Sequence, residues 1–291
     1  MKRFRAPRAL ATAALLGAFG LLAACTPPEA PAVPTTNWKF ETNTVRVNNS
    51  QDKVCVLVCV NTHDEPYSLN IAFRVKVGQP GSAQTFVVEG NAHNDVGEGQ
   101  TYTMQGSERA RTNFAGVQMV DLLDLAMGAK LEVVGVWTWA MEEDFIGVNS
   151  AANTVADAVK AALNSTVAAT SLPSDANQIV STLLSAVGIG GAFTILGTTL
   201  LRITGLQDDA VGSRMYIGLG VRGDLGNIID STVGTVPFPT LAIPAITIPP
   251  DIEGGQIFRL GSPASLSITN QLMNQPSVDG DYTMSFGFST Y

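Results

Sequence analysis

Leu69-Asn70-Ile71-Ala72-Phe73-Arg74-Val75-Lys76-Val77 decides the fold class. Its apolar residues recur at every second position, the period of a β-strand. Leu69, Ile71, Phe73, Val75 and Val77 share one face and belong to a core, while Asn70, Arg74 and Lys76 are expected to face water. Gly78-Gln79-Pro80-Gly81 supplies the residues of a tight turn, and a partner strand is expected over Thr85 to Glu89.

The same period extends in both directions. Trp38-Lys39-Phe40, Val45-Arg46-Val47, Thr101 to Met104, Met215 to Val221, Gln256 to Leu260, Ala264 to Thr269 and Tyr282 to Phe288 all read as strands. Val54 to Val60 is apolar on both faces and predicts a central strand. Leu131 to Met141 places Leu131, Val133, Trp137, Trp139 and Met141 on one face, with Gly135 as a gap among them. Asn91 to Gln100 is a polar loop, and Val117 to Ala126 suits a brief helix.

Between the strand sets the period lengthens. Val155, Val159, Leu163 and Val167 stand four apart from Asn149 to about Ala169, which is helical spacing. Ser174 or Asp175 can cap a second helix carrying Ile179, Leu183, Leu184 and Val187, which Gly188, Gly190 and Gly191 end. Phe193 to Ile203 fits either a strand or a continued helix. Val236 to Pro250 is proline-rich and extended. The sum is a mainly β chain, an antiparallel β-sandwich with a helical insertion (α+β), the insert covering about 149–203 and the whole domain 38–291. Two domains divided near residue 205 are the rival arrangement.

The N-terminus is of another kind. Lys2, Arg3, Arg5 and Arg8 precede an uncharged run from Ala9 to Ala24, too short and alanine-rich for a comfortable membrane span. It closes on Leu22-Ala23-Ala24-Cys25. This segment resembles the signal peptide of bacterial lipoproteins and its lipobox. The resemblance implies removal of residues 1–24, a diacylglyceryl group on the Cys25 thiol, and membrane anchoring through that lipid, with palmitate among its acyl chains. Thr26 after the cysteine is not the aspartate that often marks inner-membrane retention in such lipoproteins, which implies outward routing in a double-membrane organism. Residues 25–37, with Pro27, Pro28, Pro31 and Pro34, form an extended tether.

Export changes the charge. The whole chain has 17 basic and 25 acidic residues; without the four basic residues of the signal it has 13 against 25, a net charge of −12. That acidity and the absence of a basic cluster argue against nucleic acid as a partner. Cys55 and Cys59 remain after Cys25. An exported pair suggests a disulfide, but on one straight strand their Cα atoms would stand about 13 Å apart, against the roughly 4.4–6.8 Å that a bridge needs. Either the chain bends between them or both thiols are buried and inert.

No pattern of catalytic spacing occurs, and no cofactor is implied. His63-Asp64-Glu65 and Asn94-Asp95 with Glu98 would supply oxygen ligands for a cation, calcium before zinc, if their loops meet; otherwise they are solvated loops, with His93 the second histidine. Glu142-Glu143-Asp144 would suit a glycosidase only if two carboxylates share a cleft. Trp137 and Trp139 are either core packing or a sugar-stacking platform. Asp279-Gly280-Asp281 reads as a hairpin turn. Ala176 to Leu201 carries no formal charge and reads either as buried helices or as a conditional membrane hairpin. Three function classes follow: a lipid-anchored binding or structural protein of the bacterial cell envelope with a protein or glycan ligand, a membrane-perturbing or pore-forming protein, and an envelope hydrolase.

Overall fold

A computed structural model describes residues 32–50, 53–55, 59–61, 63–143, 148–184, 210–232, 237–238, 255–260, 265–266 and 281–291. Residues 33–291 belong to one compact unit. The stretch around Phe73 forms β4 (Pro66–Lys76), with the strands before it being β1 (Thr35–Asn49), β2 (Lys53–Cys55) and β3 (Cys59–Asn61). After it come β5 (Gln84–Glu89), β6 (Thr101–Thr103), β7 (Thr112–Gln118), helix α1 (Leu122–Ala126) and β8 (Glu132–Glu142). Helices α2 (Val148–Ser165) and α3 (Ala176–Leu184) precede β9 (Ala210–Gly220), and α4 (Gly223–Thr232) follows it. The chain ends with β10 (Pro237–Phe238), β11 (Gly255–Leu260), β12 (Ser265–Leu266) and β13 (Asp281–Thr290).

Two sheets result. One has the order β10-β11-β9-β8-β4-β5; the other runs β12-β13-β1-β6, with β7 also pairing β1. They pack face to face over a core rich in aromatic rings. Phe40 stacks on Phe286 with centroids 5.4 Å apart, and Tyr216 approaches both rings from the larger sheet. Trp38, Phe114, Phe258 and Phe288 extend this layer. The fold is thus β-rich and sandwich-like, as the alternation predicts.

The larger sheet is covered on its other face too. There Leu69, Ile71, Phe73, Trp137, Trp139, Met215 and Ile217 meet Val155, Val159 and Leu163 of α2, Ile179 and Leu183 of α3, and Leu225 and Ile229 of α4. Every residue of β8 is buried as a consequence. Phe73 lies over Gly135, where an added Cβ would come within 2.1 Å of its ring, so the glycine gap in β8 is the seat of an aromatic side chain.

The second sheet, packed on the opposite face from the helices, corrects the expectation for the even face of β4. Asn70 is fully buried, and Arg74 and Lys76 are half-buried. The polar groups of Asn70 and Arg74 find protein partners instead of water. The Ser68 and Thr42 hydroxyls hydrogen-bond at 2.8 Å, and Asn70 Nδ2 donates to the Ala110 carbonyl at 2.7 Å. Arg74 donates from Nε to Glu132 Oε1 at 2.8 Å and from Nη1 to the Ala115 carbonyl at 3.1 Å. Glu132, itself buried, accepts the Gln118 backbone N–H at 2.9 Å. A buried polar group is tolerated when such partners replace water.

Three more differences have local causes. Val54 to Val60 is not one straight strand: β2 and β3 pair antiparallel with Cys55 opposite Cys59. Val117 belongs to β7, and the helix begins only at Leu122, where Asp121 and Asp124 cap each other's backbone N–H groups at 2.9 Å. The sheet is not wholly antiparallel either. β9 and β11 run parallel, joined through α4, a helix that the strand periods on both sides obscured. Helix α3 is capped by Asp175, whose Oδ1 accepts the Gln178 N–H at 3.1 Å. Phe193 to Ile203, Asp279 and Gly280 lie outside the described residues, as does Val236 to Pro250 apart from β10.

Candidate functional site

The sandwich has two unlike ends, set by the direction of β4. At the end where β4 begins, the two acidic loops do meet: Asp64 and Val96 exchange backbone hydrogen bonds of 3.2 and 3.0 Å. Their carboxylates nevertheless diverge. Asp64 is fully buried; Tyr282 donates its hydroxyl to Oδ2 at 2.7 Å, and Ser50 donates to Oδ1. Asp95 points outward beside His63, 3.7 Å from its Nδ1, and both are largely exposed. Glu65 is half-buried and Glu98 exposed. Among the described residues no group of three His, Cys, Asp or Glu side chains is gathered to hold a metal ion. Asp64 serves the core: burial first, then the bond to Asp64 and the negative charge of Asp64, Glu142 and Glu65, drive the Tyr282 phenol far above its usual range, keeping it a neutral donor.

The acidic run after β8 is divided by strand geometry. Glu142 is fully buried, and its Oε1 lies 3.5 Å from the Glu65 backbone N–H that it accepts. Glu143 is exposed and lines an open polar pocket of about 340 Å³ with Tyr67, Glu89, Asn91 and Ala92. Consecutive strand residues point to opposite faces, so Glu142 and Glu143 do not share that pocket; Asp144 lies outside the described residues. Trp137 and Trp139 stack with centroids 4.2 Å apart, but beneath the helical layer, with Trp137 Nε1 donating to Ser213 Oγ at 3.0 Å. They are core packing, and the sugar-platform alternative is overturned.

Beside the polar pocket lies a cluster that the sequence spacing did not announce. His93 stacks on Tyr102 with centroids 3.4 Å apart, and its Nδ1 is 2.9 Å from Glu108 Oε1. Glu108 Oε2 accepts the Gln105 backbone N–H at 2.8 Å. Burial alone would raise the Glu108 pKa, but the bonds from His93, Gln105 and Tyr102 and the His93 charge outweigh it and lower it. The cluster clamps residues 93–108 at the pocket's edge. The Gln-x-x-Glu capping pattern at Gln105 and Glu108 was its only visible sign.

The opposite end is apolar. A pocket of about 370 Å³ opens between α1, the Ser171–Ser174 loop and α3, lined by Leu122, Leu125, Ala129, Leu172, Pro173 and Ile179 among others, without an acidic residue. Leu123 and Met127 stand out beside it, 66% and 48% exposed. Arg222 holds α1 in place, bonding Asp121 at 2.9 Å and Asp124 at 2.7 Å. No family model, curated protein or solved structure matches this chain.

Proposed function

We propose that this chain is a lipid-anchored extracytoplasmic binding or structural protein of the bacterial cell envelope, attached through Cys25. The observation that carries the reading is Leu22-Ala23-Ala24-Cys25 behind a basic segment and an uncharged run. A rigid sheet covered on both faces, with an open pocket at one end, suits a binding module. The exposed carboxylates of Glu89 and Glu143 in that pocket favour a cationic group on its protein or glycan ligand. The pore-forming alternative is less well supported, because Ile179 and Leu183 are spent on the core and no helix among the described residues is long and apolar enough to cross a membrane. Residues 185–201 of that segment lie outside the described residues. The hydrolase alternative loses the shared cleft at Glu142 and Glu143.

Cys25→Ser should abolish incorporation of a palmitate analogue and leave precursor or soluble protein; unchanged labelling in this variant would overturn the reading. Export also bears on Cys55 and Cys59. Opposed positions in an antiparallel ladder have Cα atoms about 4.5–5.5 Å apart, inside the span of a disulfide, so the straight-strand objection falls away. Thiol–disulfide exchange with an envelope oxidant would then join the two sulfurs. Alkylation of unreduced protein from cells should leave this pair unmodified, whereas two alkylated thiols would exclude the bridge.

A further inference from the structure

The point where the chain enters the domain coincides with its apolar end. Val33 packs against the helix-side core. The Pro34 carbonyl accepts the Met119 backbone N–H at 2.8 Å, and Thr35 pairs with Gln118. Leu123 follows so closely in sequence that its Cα lies within about 14 Å of that of Met119. The entry point, α1 and the apolar pocket therefore belong to one end. At the other end stand Ser50, where β1 has finished, and the exposed Asp95, Glu98 and Glu143. Along β4 alone the two ends are about 33 Å apart.

We infer that this entry end docks on the bilayer surface, with Leu123 and Met127 inserted at the lipid interface. The inference rests on the anchor reading: a lipid on Cys25 leaves a proline-rich stretch to Val33 that reaches at most about 29 Å at ~3.6 Å per residue. That is shorter than the domain, so the end carrying Val33 is the end held toward the membrane. Its chemistry suits that position. The exposed apolar side chains sit where water would otherwise meet them, the pocket beside them has Lys130 but no carboxylate, and Asp121 and Asp124 are both paired with Arg222. Asp95, Glu98 and Glu143 stand exposed at the far end, while the exposed carboxylates near the entry end are Asp224, at the start of α4, and Asp175, which caps α3. Interfacial side chains of this kind add binding in proportion to the apolar area they bury, on top of the lipid anchor.

The test uses the full lipoprotein purified from cells and reconstituted in phosphatidylcholine vesicles containing brominated lipid. All three native tryptophans are buried, so a tryptophan added at an exposed position is the variable reporter. Leu123→Trp and Met127→Trp should each be quenched at least about threefold more strongly than Glu98→Trp, because bromine quenches only on close approach within the lipid. Equal quenching at both ends, or stronger quenching at 98, overturns the docking. So does protection of 123 and 127 from an aqueous quencher without bromolipid quenching, accompanied by cross-linking between copies, which would assign the patch to a second copy of the chain. The mass of the N-terminal peptide reads the anchor separately. Lipid on Cys25 with equal quenching defeats the docking alone, and an unmodified Cys25 defeats the anchor and the docking together.

Discussion

The two faces of the larger sheet are both buried, yet they are built differently. The face under the helices is apolar throughout along β4: Leu69, Ile71, Phe73 and Val75. The face toward the second sheet mixes aromatic rings with Ser68, Asn70 and Arg74, which bond Thr42 of β1, the Ala110 carbonyl just before β7 and the Ala115 carbonyl of β7. An aliphatic and indole surface accepts a helix at many angles, because it is non-directional. A sheet laid on a sheet needs one register, and directional bonds from Ser68, Asn70 and Arg74 help select it. The contrast suggests that the helical face supplies mainly burial and the sheet–sheet face adds specificity.

The largest effects should come from removing rings. Trp137→Ala on the helical face and Phe286→Ala on the sheet–sheet face should each lower stability by about 3–5 kcal/mol in urea unfolding, since both side chains are fully buried and would leave cavities. The faces should differ in what survives. Partial loss of the helical layer in the Trp137 variant would leave β1 paired with β13, whereas loosening the aromatic layer in the Phe286 variant should expose amides of both sheets to exchange. Identical exchange patterns in the two variants would break the distinction between the faces.

The odd face of β4 was legible because an apolar face looks the same whatever covers it. The even face was not, because period-2 alternation identifies a polar face without saying whether water or protein satisfies it. Arg74 shows the limit: its only sequence-level reading is solvent, and its partner Glu132 is remote in sequence. Likewise the sequence left open whether the loops of Asp64 and Asp95 meet; they do, but the inward turn of Asp64 depends on Ser50 and Tyr282, from different parts of the chain. Gly135 was visible as a gap, whereas the ring that fills it was not. Helix α4 was missed because its apolar markers Leu225, Ile228 and Ile229 cover less than two turns of period between strands. The cap of α3, a local signal, was narrowed to Ser174 or Asp175, and Asp175 fills it.

The next effect in size isolates the directional bonds. Arg74→Ala leaves the buried Glu132 without its cation, although the Gln118 N–H remains. Because the arginine is itself a quarter exposed, a loss of about 1–3 kcal/mol is expected, below that of a fully buried pair. Arg74→Ala combined with Glu132→Gln should recover part of that loss, since the orphaned charge is removed. A value near zero for Arg74→Ala in urea titration would return this face to the solvent-facing role that alternation alone suggests.

The smallest effect belongs on the outer face of the second sheet, where water competes. There Glu41 bonds Lys39 at 2.9 Å, Arg111 at 2.8 Å and Arg109 at 3.3 Å. Burial would raise its pKa, but the bonds and charges of Lys39 and Arg111 prevail and hold it below the ordinary carboxylate value of 4.5. A carboxylate depressed by folding contributes stability above its unfolded pKa and loses it as pH falls through the folded one. Stability should therefore decline below about pH 4.5, and Glu41→Gln should flatten its own share of that decline while leaving the curve above pH 6 less changed in shape. Water and salt screen the partly exposed cations, so the difference at neutral pH should stay under about 1 kcal/mol and shrink further in high salt. A loss as large as that of the Trp137 or Phe286 variants would mean that this outer network, rather than the two inner faces, holds the sheets in register.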